Sequence, residues 1–224
     1  MTTHLLTGAG SGIGAALADR LHARGDSLFL LARNQQRAEE LATAYPDAQT
    51  MVADLADPTS LASMELPDSL DSLLHVAGAV ELGPVADLPL AQVRSQVDVN
   101  LVSPIELTRL ALPALRRARG LVVFVNSGAG LFAHPHWSAY AATKQGLRAV
   151  ADSLRAEEQE HGVRVTSVFP GRVATPMQEK VHELEGKEYD AEAWIQPGTV
   201  AEVILHALDL PADASLPEIV VKPR

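Results

Sequence analysis

The sequence predicts an α/β protein built on one doubly wound parallel sheet of about seven strands, with helices on both faces. Three observations lead to this class. Short apolar runs alternate with longer amphipathic stretches along the whole chain, with no linker between them, which is the pattern of repeated βα units. The clearest strand candidates are continuously apolar, as strands covered on both faces must be. The first strand–helix junction is rich in glycine, as suits a tight turn at the carboxyl end of a parallel strand.

The elements follow in order. Thr3–Thr7 reads as a short buried strand, and Gly8-Ala9-Gly10-Ser11-Gly12-Ile13-Gly14 then opens a helix running to about Arg24. Ser27–Ala32 is the second strand, and a helix over Gln35–Ala44 places Ala38, Leu41 and Ala42 on one side. Residues 50–53 and 72–76 are the next strands. A long helical stretch over about 90–117 contains Pro104 and Pro113. Each proline lacks an N–H and crowds the carbonyl four residues back, so a break or kink is expected there. Leu121–Val125 is the plainest strand, a helix over about 137–160 carries Tyr140, residues 163–168 form another strand, and Glu218–Val221 closes the sheet.

Composition sets outer bounds. With 224 residues and 47% hydrophobic content, the chain suits one domain, 1–224, with a substantial core. The absence of cysteine excludes disulfides, a thiolate nucleophile and a thiolate metal site. No charged-then-apolar leader precedes the first strand, and no apolar run reaches the roughly 18 residues that span a membrane. A soluble cytoplasmic protein is the expectation. The formal net charge of −10 argues against nucleic acid or an anionic membrane as partner, but not against an anionic cofactor, whose binding depends on local charge.

Chemistry concentrates in a few places. Tyr140 and Lys144 stand four residues apart, one turn apart on the same helix face. A free tyrosine keeps its proton to about pH 10, and a neighbouring cation favours the phenolate and lowers that value. Such a pair also occurs on solvated helices; its company matters more than its spacing. Glycines 8, 12 and 14 suit backbone N–H groups that approach a pyrophosphate at a helix N-terminus, although a glycine-rich loop can also simply turn the chain. Their spacing, G-x-x-x-G-x-G, departs from the G-x-G-x-x-G fingerprint. Ser127 directly follows the Leu121–Val125 strand and Asn126; its hydroxyl can polarise a substrate carbonyl or merely cap the next turn. His134 and His136 have no third ligand at recognisable spacing, so no metal site is expected.

Thr7-Gly8-x-x-x-Gly12-Ile13-Gly14, Asn100, Ser127, Tyr140-x-x-x-Lys144 and Pro170-Gly171, in that order, resemble the short-chain dehydrogenase/reductase family over nearly the whole chain. The resemblance implies a Rossmann-like fold and an oxidoreductase that moves hydride between a nicotinamide and a ketone, aldehyde or secondary alcohol. By that resemblance the catalytic set is Ser127, Tyr140, Lys144 and Asn100, with Asn100 supporting a water in a proton relay; a structural role for that buried asparagine is the alternative. Lys144 would also hold the nicotinamide ribose. The cofactor-binding set is Gly8, Ser11, Gly12, Ile13, Gly14, Arg33, Asp54, Ala77, Gly78, Tyr140, Lys144, Pro170, Gly171, Val173 and Thr175. Thr175 would take the carboxamide and Asp54 the adenine.

Cofactor choice is read at the end of the second strand, where an NAD enzyme usually places a carboxylate. This chain has Ala32 followed by Arg33, which favours NADP(H) over NAD(H), with Ser11 adding a hydroxyl to the 2′-phosphate and Arg37 able to share the role. One stretch departs from the family: relatives commonly read Asn-Asn-Ala-Gly where this chain has His75-Val76-Ala77-Gly78, and His75 is expected to be a hydrogen-bonded sheet residue. A flexible substrate lid is expected over 172–196. Met177, Trp194, Phe132 and Trp137 suggest an apolar wall for a small apolar carbonyl compound, and the lid's many acids a solvated outer face. The two long helices are apolar on more than one face, and relatives pair them, so a homodimer or homotetramer is expected. The contrasting reading is a non-catalytic NADP-binding sensor or scaffold, which has no need of the four acid–base residues together.

Overall fold

A computed structural model describes residues 2–224. Its strands are β1 Thr3–Thr7, β2 Ser27–Ala32, β3 Gln49–Val52, β4 Ser72–His75, β5 Leu121–Val125, β6 Arg164–Pro170 and β7 Glu218–Val221. Its α-helices are α1 Gly12–Ala23, α2 Gln35–Ala44, α3 Leu90–Val97, α4 Ser103–Ala118, α5 Ser138–Glu157, α6 Pro176–Glu185 and α7 Pro197–Leu208. All seven strands are parallel in the order β3-β2-β1-β4-β5-β6-β7. The order reverses between β1 and β4, so a crevice opens at the carboxyl ends of those strands.

Alternation along each strand divides the core into two layers. Leu6, Leu28, Leu30, Leu74, Val123 and Val168 face the side covered by α1, α2 and α7. Leu5, Phe29, Leu31, Leu73, Val122 and Phe124 face α4 and α5. Each fully buried leucine contributes about 1.5–3 kcal/mol of transfer free energy, which holds the helices against the sheet.

The predicted elements stand, with informative differences. The stretch over 90–117 is interrupted by a π-helical turn, Asp98–Val102, centred on Asn100. Pro104 lies four residues beyond Asn100, cannot donate to its carbonyl in the α-helical manner, and begins the next helix. Pro113 lies inside α4 without ending it. In α2 only Ala38 and Leu41 are buried; Ala42 is exposed. Helix α7 escaped the sequence reading, although Pro197 at its first position and the spacing of Val200, Ala201, Ile204 and Leu205 mark it. Its apolar stripe packs on α1, with Arg20–Glu202 and Arg24–Asp209 pairs at the rim. Among the described residues no helix is long and apolar enough to cross a membrane.

Candidate active site

The carboxyl ends of β1, β4, β5 and β6 open into a cleft of about 1070 Å³. It shares Gly8, Ser11, Ala77 and Gly78 with a second cavity of about 730 Å³ beyond the end of β2. The glycine loop is shaped for close approach. Gly8 has φ +79°, and a Cβ there would lie 2.8 Å from the Ala77 nitrogen. A Cβ on Gly14 would lie 2.0 Å from the Gly8 carbonyl oxygen, so only glycine lets α1 start this near the strand. Ser11 is the N-cap of α1, yet its hydroxyl makes no capping hydrogen bond. A helix N-terminus with free N–H groups and an unspent hydroxyl beside it fits an anionic phosphate. Thr7, part of the sequence pattern but given no role there, contributes directly: its hydroxyl oxygen accepts from the Val76 and Ala77 nitrogens at 3.0 and 3.1 Å, tying the start of the 76–78 segment to β1.

The second cavity is lined by Arg33, Arg37, Asp54 and Gly10, among others. The two arginines differ. Arg37 donates to the Gly10 carbonyl at 3.0 Å and pairs with Glu40. Arg33 is exposed and, among the described residues, forms no ion pair. Asp54 is exposed at the cavity wall, and its carboxylate accepts the Ala56 N–H at 2.9 Å.

Three elements bring the predicted catalytic residues together. Ser127 leaves the end of β5, where its hydroxyl accepts from the Ala129 nitrogen at 3.2 Å as cap of a short turn, Gly128–Gly130. Tyr140 and Lys144 lie on α5, both buried, with the ammonium 5.8 Å from the phenol ring centroid. Lys144 Nζ donates to the Val125 carbonyl at 3.1 Å. Burial lowers the Lys144 pKa from its usual value to about 8. Burial likewise pushes the Tyr140 phenol up, and the Ser127 hydroxyl pulls it back. This corrects the sequence expectation for the pair. The i,i+4 spacing brings the ammonium to the ring but directs it to a strand carbonyl, and desolvation of the phenol prevails over the lowering foreseen from Lys144.

Asn100 is buried in the π turn, and its amide is spent inside the protein. Its Oδ1 accepts from the Ala79 nitrogen and its Nδ2 donates to the Ala79 carbonyl, both at 2.8 Å, with a further bond to Thr143 Oγ1 at 3.2 Å. The structural role that the sequence left open is therefore realised in its side chain. Gly78 is the meeting point, since a Cβ there would lie 3.3 Å from Asn100 Oδ1 and 3.7 Å from Lys144 Nζ. His75 stacks on Phe124 at 4.9 Å and faces Thr108 at 2.9 Å. The Thr108 proton goes to the Pro104 carbonyl, so His75 Nε2 carries the hydrogen. Burial, assisted by the Lys144 charge, lowers the His75 pKa to about 3, and the ring is neutral.

The segment over 172–196 folds as α6 and a short turn over the cleft. Val181 of α6 packs with Tyr140, Val80, Ala129 and Ala141, alongside Met177, Leu82 and Trp137. Lys180 pairs with Glu81 across the mouth. Three expectations need correction. Trp194 is not in the cleft wall; it packs against His182 at 5.4 Å and beneath Arg172 at 5.4 Å. Phe132 is 67% exposed and lies outside the wall. Glu185 is not a solvated acid but pairs with Arg172 at 2.7 Å, because the turn back to Ile195 folds α6 over Arg172. Thr175, at the start of α6, caps the Gln178 nitrogen at 3.2 Å, while Gly12 approaches its methyl group. Pro170, Gly171 and Val173 line the same cleft, as does Ile13.

A parallel sheet ordered in this way, with the glycine turn and the serine, tyrosine and lysine in one cleft, defines a dinucleotide-binding oxidoreductase architecture. The family model for short chain dehydrogenase matches residues 2–186. An uncharacterized oxidoreductase of Staphylococcus epidermidis is 30% identical over 98% of this chain and 96% of its own length. An uncharacterized short-chain type dehydrogenase/reductase of Sinorhizobium fredii is 33% identical over 98% of this chain and 90% of its own. Among solved structures, the closed form of a serine dehydrogenase complexed with NADP+ superposes with a TM-score of 0.87 at 23% identity, covering 98% of this chain and 94% of that one. The chain belongs to the short-chain dehydrogenase/reductase family.

Proposed function

We propose that this protein is an NADP(H)-dependent carbonyl reductase or alcohol dehydrogenase acting on a small, largely apolar ketone, aldehyde or secondary alcohol. The observation that carries the reading is the convergence of Ser127, Tyr140 and Lys144 on the cleft that the glycine loop also lines. Bound NADP(H) supplies or accepts the hydride. The 8–14 loop and Ser11 would hold its phosphates, Arg33 the 2′-phosphate, Asp54 the adenosine side, and Ala77, Gly78, Pro170, Gly171, Val173 and Thr175 the nicotinamide half.

The chain's own residues handle the proton. Tyr140 gives its phenolic proton to the substrate oxygen in reduction and takes one back in oxidation. Ser127 donates a hydrogen bond to that oxygen and holds it near the phenol. Lys144 places a positive charge beside the ring, and Asn100 anchors the 77–79 segment against it. Val80, Leu82, Trp137, Met177, Val181 and Leu184 offer an apolar surface to the rest of the substrate. Preference for NADPH rests on Ala32-Arg33 in place of a carboxylate and on the unpaired state of Arg33 among the described residues. Two copies or four joined through the long helices remain part of the proposal, since Val102 and Ile105 of that region are 37% and 42% exposed.

The test is titration of the purified protein with NADPH and NADH, followed by a panel of ketones and aldehydes watched at the NADPH absorbance. Tight NADPH binding with oxidation on an apolar carbonyl supports the reading. Failure to bind either dinucleotide overturns it.

A further inference from the structure

Ser127 lies two residues beyond strand β5, whereas Tyr140 and Lys144 ride on a helix, so their mutual geometry depends on how the end of β5 is fastened to α5. The fastening runs through Asn126. This side chain is 4% exposed and lines the cleft behind Ser127. Its Oδ1 accepts the Ser127 N–H at 2.9 Å, and its Nδ2 donates to the main-chain carbonyl of Lys144 at 3.0 Å. One partner is an N–H and the other a C=O, so the amide has a single orientation that satisfies both. Lys144 returns the contact by donating from Nζ to the Val125 carbonyl at 3.1 Å. Consecutive residues of the strand end therefore grip both the main chain and the side chain of one helical residue.

The turn that follows is cut to fit. A Cβ on Gly130 would lie 2.3 Å from Asn126 Oδ1 and 3.1 Å from the Lys144 carbonyl oxygen. Glycine there leaves room for the amide. The Asn126 N–H is used elsewhere, donating to the Val168 carbonyl at 2.7 Å and holding the strand end in the sheet.

Resting on the reductase reading above, we propose that Asn126 is a positioning residue of the reaction, clamping the strand end that leads into Ser127 to the helix that carries Tyr140 and Lys144. It touches no reacting atom. It acts by holding the serine hydroxyl and the phenol at a common point, where a displacement of about 1 Å costs on the order of 100-fold in rate.

The experiment compares wild type with Asn126→Ala, Asn126→Asp and Gly130→Ala on whichever carbonyl the wild type reduces. For Asn126→Ala the expected result is a kcat about 10- to 100-fold lower with NADPH Kd changed by less than about twofold. Asn126→Asp keeps the size and the acceptor for Ser127 but loses the donor. Its kcat should recover toward low pH, where a protonated carboxyl can again donate to the Lys144 carbonyl. Gly130→Ala should match the Asn126→Ala loss, and the double variant should fall no further, since no amide remains to displace. The inference is overturned if Asn126→Ala keeps kcat within about twofold of wild type, or if NADPH binding falls in step with kcat, leaving only a structural role. A flat pH response of Asn126→Asp, or losses that multiply in the double variant, also count against it. Absence of wild-type turnover on every carbonyl would instead bring down the reductase reading, and that arm is seen before any variant is compared.

Discussion

The two ends of the sheet both carry polar side chains and treat them in opposite ways. At the amino end, His4 of β1 faces Ser72 of β4 at 2.7 Å and Thr2 at 3.0 Å. The Thr2 hydroxyl donates to Asp26 at 2.7 Å, so it accepts from His4 Nε2–H, and His4 Nδ1 accepts the Ser72 hydroxyl. Asp26 pairs with Arg24 at 3.2 Å, and Asp71 takes the Thr3 N–H at 2.7 Å. These donors of His4, Thr2 and Thr3 are met by acceptors of the same chain. At the carboxyl end Ser11 caps nothing, Arg33 has no ion pair among the described residues, and α1 presents its N–H groups to open space. A serine, a histidine and an aspartate lie together at the amino end, yet Ser72 is wholly buried and no substrate can reach it. The lesson is that reactive residue types do not mark a site; unspent donors at the rim of a cleft do.

That contrast can be broken in measurable ways. The largest effect is expected from Tyr140→Phe, which should lower turnover by at least about 10³-fold while leaving NADPH affinity within about twofold. Comparable turnover in that variant would end the proposed mechanism. Arg33→Asp should weaken NADPH by about 10- to 100-fold and leave NADH nearly unaffected, by titration of each. An equal response of both dinucleotides would remove Arg33 from the 2′-phosphate.

The amino end should answer in stability alone. His4→Ala strands Ser72 and empties a packed site, at a cost of about 1–3 kcal/mol, read as a lower melting temperature with kcat unchanged. A loss of kcat at full stability would show that the two ends are coupled. Both ends should also respond to pH. Burial lowers the His4 and His75 pKa values in the folded state, so the unfolded chain binds more protons as pH falls below about 6.5. Stability is thus greatest above that pH and declines below it, and His75→Asn should make the decline shallower in acid melting curves. The smallest effect is on the rate profile: with Lys144 near 8, its charge is present below that pH, so carbonyl reduction should be level through neutrality and decline above it.

Much of this was readable without coordinates, for reasons that can be traced to particular residues. The continuous apolar runs of β2 and β5 announced strands buried on both faces, and the Tyr140–Lys144 spacing needed only a helix to become a pair. Helix α7 was legible in the apolar spacing of Val200, Ala201, Ile204 and Leu205, but only its packing on α1 shows which face that stripe covers. The prolines signalled a break, but only packing places the π turn at Asn100, where the amide meets Ala79. Trp194 and Phe132 misled because an aromatic residue in a loop has no assigned direction until the loop is folded. Trp194 turned toward His182, and Phe132 toward solvent.

The sequence by itself determined the strand–helix alternation and the glycine turn, which rest on periodicity and on spacing within one element, and its resemblance to the family pointed to the residues on which the proposed chemistry depends. Tertiary structure decided what spans elements. It set the burial that raises the Tyr140 phenol and lowers the Lys144 ammonium, the grip of Asn126 on Lys144, and the difference between Arg37, paired with Glu40, and Arg33, which forms no ion pair among the described residues. Those quantities depend on distances between residues far apart in the chain and on how much water is excluded around them, and neither is encoded in any local run of residues.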